Sequence, residues 1–195
     1  MSFRINFTEH TEVLFILLPG ISYKIGIGVL QAIEARLIDS HSNYLTVTFP
    51  FQDKGFDMPE SKTHDLEMME VVRGVKKASE GVRFGRVVLL GKSFGGLIAI
   101  KLLSALKEHC KCPFDLHILG YIFDESMRMD ADVVEHVFIY QGEHDRFGSP
   151  EKVAQTVPFA KVFSIAGADH SYRNELKEPV YESEVARLFF NVVAP

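Results

Sequence analysis

Cysteine is scarce in this 195-residue chain, where Cys110 and Cys112 are the only two. They stand too close together to staple a fold, and no further cysteine or close histidine pair completes a zinc set. Two free thiols in a reducing compartment, with no metal, are expected. Long apolar runs are missing as well. The N-terminal run Val13 to Leu18 spans six residues and stops at Pro19-Gly20, too short for a signal-peptide core or a membrane span. A cytoplasmic location with no membrane partner is the default expectation. Excess positive charge is also missing. The formal net charge is −5 and Lys and Arg are scattered, in short pairs such as Lys76-Lys77, so no nucleic-acid or acidic-membrane partner is suggested. The chain has no internal repeat and no low-complexity stretch.

What remains suits one globular domain over residues 1–195, with 47% hydrophobic and 24% charged residues and enough length to bury a core without disulfides or metal. Predicted strands and helices alternate, which implies a mainly parallel sheet. Phe3–Phe7 reads as a short edge strand, joined to the strand Val13–Leu18 by a polar turn around Glu9 and His10. Ile25–Ile38 has helical spacing, with Val29, Ile33 and Leu37 recurring at four. Leu45–Phe49 alternates as a strand. Thr63–Ser79 carries Leu66, Met69, Val72 and Val75 at helical intervals, and Met68 and Met69 read as core packing. Leu116–Ile122 is a strand and Glu182–Val192 a closing helix. The segment Gln52–Lys62 is the least regular, with Gly55 and Pro59, and is expected near the catalytic face.

The most informative stretch is Val87-Val88-Leu89-Leu90-Gly91-Lys92-Ser93-Phe94-Gly95-Gly96. It reads as a buried strand, a serine bracketed by glycines, then a helix running to about Glu108. A serine on so sharp a strand-to-helix turn adopts a backbone conformation that costs energy for any residue with a Cβ. Glycines two places either side let the chain turn without clashing, so the pattern reads as a nucleophile elbow. The turn also places Ser93 at a helix N-terminus, where free N–H groups and the dipole favour a developing oxyanion. An ordinary β–α turn is the bland alternative. A phosphate loop fits poorly: the glycine it needs ahead of Gly91-Lys92-Ser93 is Arg86, and Val87 to Leu90 is strand. Lys92 either adds positive potential beside the site, faces solvent, or packs against the helix.

An acid and a base follow in the order that elbow serines require. The strand Val137–Gln141 runs into Gly142-Glu143-His144-Asp145, and the strand Lys161–Ile165 into Gly167-Ala168-Asp169-His170. Asp145 lies 52 residues after Ser93, and His170 another 25 on, room for one helix and one strand. Both stand just past strand ends, where ligand sites form in open α/β sheets. Singly, Asp145 could be a turn or helix-cap residue before Pro150 and His170 a surface histidine. Jointly with the elbow, the three are hard to assign to chance. His144 and Asp169 are the nearby competitors, and Asp124 is an alternative acid.

These motifs resemble the α/β-hydrolase superfamily, in particular its small lidless members related to dienelactone hydrolase, and more closely a group of testis-expressed and KANSL-type predicted hydrolases. Leu17-Leu18-Pro19-Gly20 stands where the group has a His-Gly turn, so Pro19 replaces a histidine. Phe49-Pro50-Phe51 with Lys54-Gly55 resembles its Phe-Pro-Tyr loop, and Gly91-Lys92-Ser93-Phe94-Gly95-Gly96 its Gly-Lys-Ser-Met-Gly-Gly. Gly120-Tyr121-Ile122-Phe123 resembles Gly-Tyr-Pro-Phe, and the Asp145 and His170 loops resemble the acid and histidine motifs. The resemblance covers nearly the whole chain. It implies an α/β-hydrolase fold, with a mostly parallel central sheet, helices on both faces and no cap domain.

The 13 residues between Phe123 and Val137 are too few for a lid. Met127 and Met129 there either line a flexible acyl pocket or pack under the loop. The implied chemistry is hydrolysis through an acyl-enzyme, with Ser93 as nucleophile, His170 as base and Asp145 orienting it. The backbone N–H groups of Phe94 and Ile21 would form the oxyanion hole, the latter implied by the resemblance. No cofactor is needed, and the expected partner is a small acyl substrate, a carboxylic ester or thioester. A non-catalytic interaction module that kept the fold is the alternative.

Overall fold

The computed structural model describes residues 3–8, 12–22, 24–56, 58–59, 64–78, 80, 82–109, 111–123, 129 and 134–193. Seven strands form one sheet: β1 (Phe3–Asn6), β2 (Val13–Leu18), β3 (Asn43–Val47), β4 (Arg86–Lys92), β5 (Phe114–Leu119), β6 (His136–Gly142) and β7 (Lys161–Ile165). Their spatial order is β1-β3-β2-β4-β5-β6-β7. Only β1 runs antiparallel, pairing with β3; every other neighbouring pair is parallel.

The helices are α1 (Gly28–Asp39), the single turn α2 (Pro50–Asp53), α3 (Asp65–Ala78), α4 (Phe94–His109), α5 (Pro150–Thr156) and α6 (Glu182–Val193). Parallel strands need crossover connections, and these cover both faces of the sheet. Successive strand residues therefore face two different cores. Leu14, Ile16 and Leu18 of β2, with Val87 and Leu89 of β4, join residues of α3 and α4 such as Val71, Val75 and Leu102. Phe15, Leu17, Val88 and Leu90 join residues of α1 and α6, among them Val29, Ile33 and Phe189.

Double-sided burial explains the shifts in strand bounds. The strand expected over Leu45–Phe49 begins at Asn43 and is buried along its whole length. Its expected last residue, Phe49, is instead the extended residue that caps α2, because Pro50 can open a helix and cannot donate to a ladder. The strand expected over Leu116–Ile122 runs from Phe114 to Leu119 and ends at Gly120, whose φ is +72°. On α3, Met68 packs partly buried against the core. Met69 does not: it is 66% exposed, since the face that meets the sheet carries Val71, Gly74, Val75 and Ala78. Among its described residues, the segment from Phe123 to β6 inserts no cap. Within it Asp124 and Met127 lie outside the described residues, as do Glu9, His10, Lys62 and Cys110. Met129 packs against the α3/α4-side core.

Candidate active site

Ser93 sits between the last residue of β4 and the first of α4, with φ at +51°. A left-handed conformation at a non-glycine residue costs on the order of 1–3 kcal/mol and persists only where its surroundings impose it. Here they do. The Ser93 N–H donates to Leu119 O at 2.9 Å, and the Ser93 carbonyl accepts from Gly96 N at 2.8 Å and Leu97 N at 3.3 Å. A Cβ on Gly91 would lie 2.5 Å from the Gly95 carbonyl, so only glycine allows the strand to turn back on itself.

The turn after β6 delivers Asp145 and the turn after β7 delivers His170. The structure brings Ser93, His170 and Asp145 into one hydrogen-bonded chain. His170 Nδ1 lies 2.7 Å from Asp145 Oδ2, and His170 Nε2 lies 2.8 Å from Ser93 Oγ. A carboxylate only accepts, so Nδ1 carries the proton and donates, leaving Nε2 to accept from the serine hydroxyl. The second Asp145 oxygen accepts the Phe147 N–H at 2.9 Å. The edge of the Phe147 ring closes over the imidazole at 4.6 Å between centroids. Burial lowers the His170 pKa below its ordinary 6.5, against the raising effect of its hydrogen bond to Asp145.

The rival residues have other duties. Asp169 is turned to its own loop, accepting the N–H groups of Ser171 and Arg173 at 2.8 and 3.0 Å. His144 lines a separate small hollow with Gly167 and Tyr181. Lys92 neither faces solvent nor packs along the helix. It is 1% exposed, and its Nζ donates to the carbonyl of His170 at 2.7 Å. It also lies 5.3 Å from the centre of the Tyr172 ring. Burial pulls its pKa from 10.5 to about 7, against Asp145 and Asp169, which raise it. Gly120 leaves room for this pair, because a Cβ there would meet both His170 Cε1 and Lys92 Nζ at 2.9 Å.

A cleft of about 620 Å³ opens over the serine, lined by Gly20, Ile21, Met58, Phe147 and Arg173 among others. Neither the Phe94 nor the Ile21 N–H meets a backbone carbonyl among the described residues. Sequence reasoning missed one member of this region, Gln52, whose amide grips the loop that carries Ile21; its partners are main-chain groups, which leave no mark in the sequence. Met129 does not line the cleft. A larger groove of about 1010 Å³ lies between α3, α4 and β1. The described residues lining it include no serine, cysteine or histidine, so volume does not choose the site here. Among the described residues the one grouping with metal-ligand side chains is Asp115, Glu135 and His136. It sits at the N-terminal ends of β5 and β6, away from the serine, and Arg86 and His136 already occupy the Asp115 carboxylate.

Residues 24–193 match the model of a family described as alpha/beta hydrolase domain. Similar solved structures include an alpha-beta serine hydrolase homologue from Coxiella burnetii, with 16% identity, TM-score 0.72, and coverage of 98% of this chain and 91% of that one. An α/β serine hydrolase without lid from Xanthomonas campestris has 14% identity and TM-score 0.66, covering 96% and 88%. Est1E from Butyrivibrio proteoclasticus, solved with ferulic acid bound, has 14% identity and TM-score 0.65, covering 100% and 96%. No curated protein matches the sequence. No helix among the described residues is long and apolar enough to cross a membrane.

Proposed function

The chain belongs to the alpha/beta hydrolase domain family, and from that premise we propose that it is a serine hydrolase acting on a carboxylic ester or thioester through a Ser93–His170–Asp145 triad. The observation that carries this reading is the unbroken chain of hydrogen bonds from Ser93 Oγ through His170 to Asp145. Ser93 Oγ attacks the acyl carbonyl while His170 Nε2 takes its proton. Asp145 holds the proton on Nδ1 and stabilises the imidazolium. The N–H groups of Phe94 and Ile21 receive the oxyanion; losing one such donor typically costs about 10²–10³ in rate. Protonated His170 then gives its proton to the leaving alcohol or thiol. Water, activated by the same imidazole, releases the acid and restores Ser93.

The cleft favours a small or solvent-accessible acyl group. Its rim carries Ile27 and Met58, both substantially exposed, and no lid among the described residues supplies walls for a long lipid. The ferulic acid named for the Butyrivibrio neighbour makes esters of an aromatic acid a sensible member of the first substrate panel. The test is labelling with a fluorophosphonate, alongside hydrolysis of p-nitrophenyl esters and thioesters of graded acyl length. Labelling and turnover in the wild type, both lost in Ser93→Ala, are expected. Stoichiometric labelling that persists in Ser93→Ala would sink the assignment. A wild type that neither labels nor turns over any substrate would leave an interaction module on a hydrolase fold.

A further inference from the structure

The side chain of Gln52, on the single turn α2, uses its whole amide on two neighbouring segments. Nε2 donates to Gly20 O at 2.9 Å and to Ile21 O at 3.1 Å, and Oε1 accepts the Phe49 N–H at 3.2 Å. The two carbonyls belong to consecutive peptide groups of the loop after β2. A trans peptide holds its C=O and N–H on opposite sides, and no cis bond occurs among the described residues. Pulling Gly20 O toward Gln52 therefore turns the Ile21 N–H to the other side. Ile21 lines the same cleft as Ser93.

The same turn also holds the other half of the proposed oxyanion site. The Phe94 ring packs edge-on against Phe49 and Phe51, at 5.5 and 5.9 Å between centroids, and both are essentially buried. One short turn thus contacts the residue after the nucleophile through its aromatic rings and the facing loop through its amide. Two donors that must converge on one oxygen are fixed to a common part.

We propose that Gln52 is a positioning residue for the oxyanion hole, setting the orientation of the Ile21 N–H without touching substrate. This rests on the serine-hydrolase reading above. Releasing the loop costs what a misplacement of about 1 Å costs, on the order of 10²-fold in rate, in steps that develop the oxyanion.

Gln52→Glu separates this role from a structural one. Its carboxylate keeps an acceptor for the Phe49 N–H, and with it the cap on α2, but it cannot donate and would face two carbonyl oxygens. Gln52→Met is the second variant, of similar length and without charge. Each is compared with wild type for kcat and KM on a p-nitrophenyl ester, for affinity toward an aryl trifluoromethyl ketone, and for Tm. The proposal expects kcat to fall roughly 10²-fold in Gln52→Glu and somewhat less in Gln52→Met. Ketone affinity should fall in step, with KM and Tm little changed. Wild-type kcat and ketone affinity in both variants would overturn it. So would losses that track Tm alone. A wild type with neither labelling nor turnover overturns the underlying reading and this inference with it, a result recognised before any variant is made.

Discussion

Gly95→Ala puts the packing of the elbow to a quantitative test. An alanine Cβ at this position would meet main-chain atoms at the end of β2 and the start of the loop after it, with Leu18 C at 2.7 Å and Pro19 O at 2.6 Å. Carbon atoms are comfortable at about 3.5–4.0 Å, so the loop after β2 must retreat by roughly 1 Å or α4 must tilt away. Neither neighbour is a flexible side-chain tip that could swing aside. Overpacking of this kind costs about 1–3 kcal/mol, and we expect a loss of about 2 kcal/mol in urea-induced unfolding. The displaced loop carries Ile21, so ester turnover should fall by on the order of 10²-fold in protein that is still folded. Gly96→Ala is the control. Its Cβ would press on one side-chain methyl of the buried Ile118, Cγ2 at 2.9 Å, which lies close to the backbone and yields little, while alanine recovers up to about 1 kcal/mol of helix propensity; it should cost less than Gly95→Ala. Gly95→Ala within about 0.5 kcal/mol of wild type and fully active would refute the steric reasoning for the elbow.

Two further expectations concern protons. His170 must be neutral to act as base, and burial lowers its pKa; activity should therefore persist below pH 6.5, seen as an acid limb of kcat/KM with its midpoint under that value. Asp145→Asn removes a contribution that raises this pKa, so the limb should move lower still while kcat falls by roughly 10⁴-fold; an unmoved limb with unchanged kcat contradicts the role of Asp145. Lys92, pulled by burial from 10.5 to about 7 in the fold, is expected to release its proton on folding at pH values between the two. The unfolded chain then binds more protons between those values, so this residue makes stability rise with pH across that window and fall as pH drops through about 7. Unfolding titrations of wild type and Lys92→Met should differ by that slope, and parallel curves would show that the lysine stays protonated inside.

The elbow was legible because its steric demand is written as residue identity. A serine held at positive φ on a turn this tight needs Gly91 and Gly95, and the apolar run before it can only be strand. Asp145 and His170 were legible because parallel strands end at one edge of the sheet, so residues just past successive strand ends meet. What the sequence hid are contacts made to main chain. In the sequence Lys92 fits a role beside the site, a solvent-facing one or a helix-packing one equally well until its Nζ is found on the His170 carbonyl, and Gln52 reads as a loop residue until its amide is found on Gly20 and Ile21. Met69 was misplaced for a different reason. Its spacing fits an apolar stripe, but the helix meets the sheet through Gly74, whose missing side chain lets Leu45 approach and rotates that stripe toward Val71 and Val75.

The position of β7 at the rim of the sheet has a consequence of its own. It pairs with β6 alone, its residues are largely half-exposed, and it leads directly into the loop that holds His170. Ser93, in contrast, follows β4, which is paired on both sides deep in the sheet. The proposed nucleophile and its proposed base therefore follow a central and a rim strand, and a rim strand paired on one side is expected to open at lower free energy than a central one. A fluctuation that peels the rim strand away removes the base while the central strands stay paired. On the proposed triad, the competence of the site would then be limited by its edge strand before the central sheet opens.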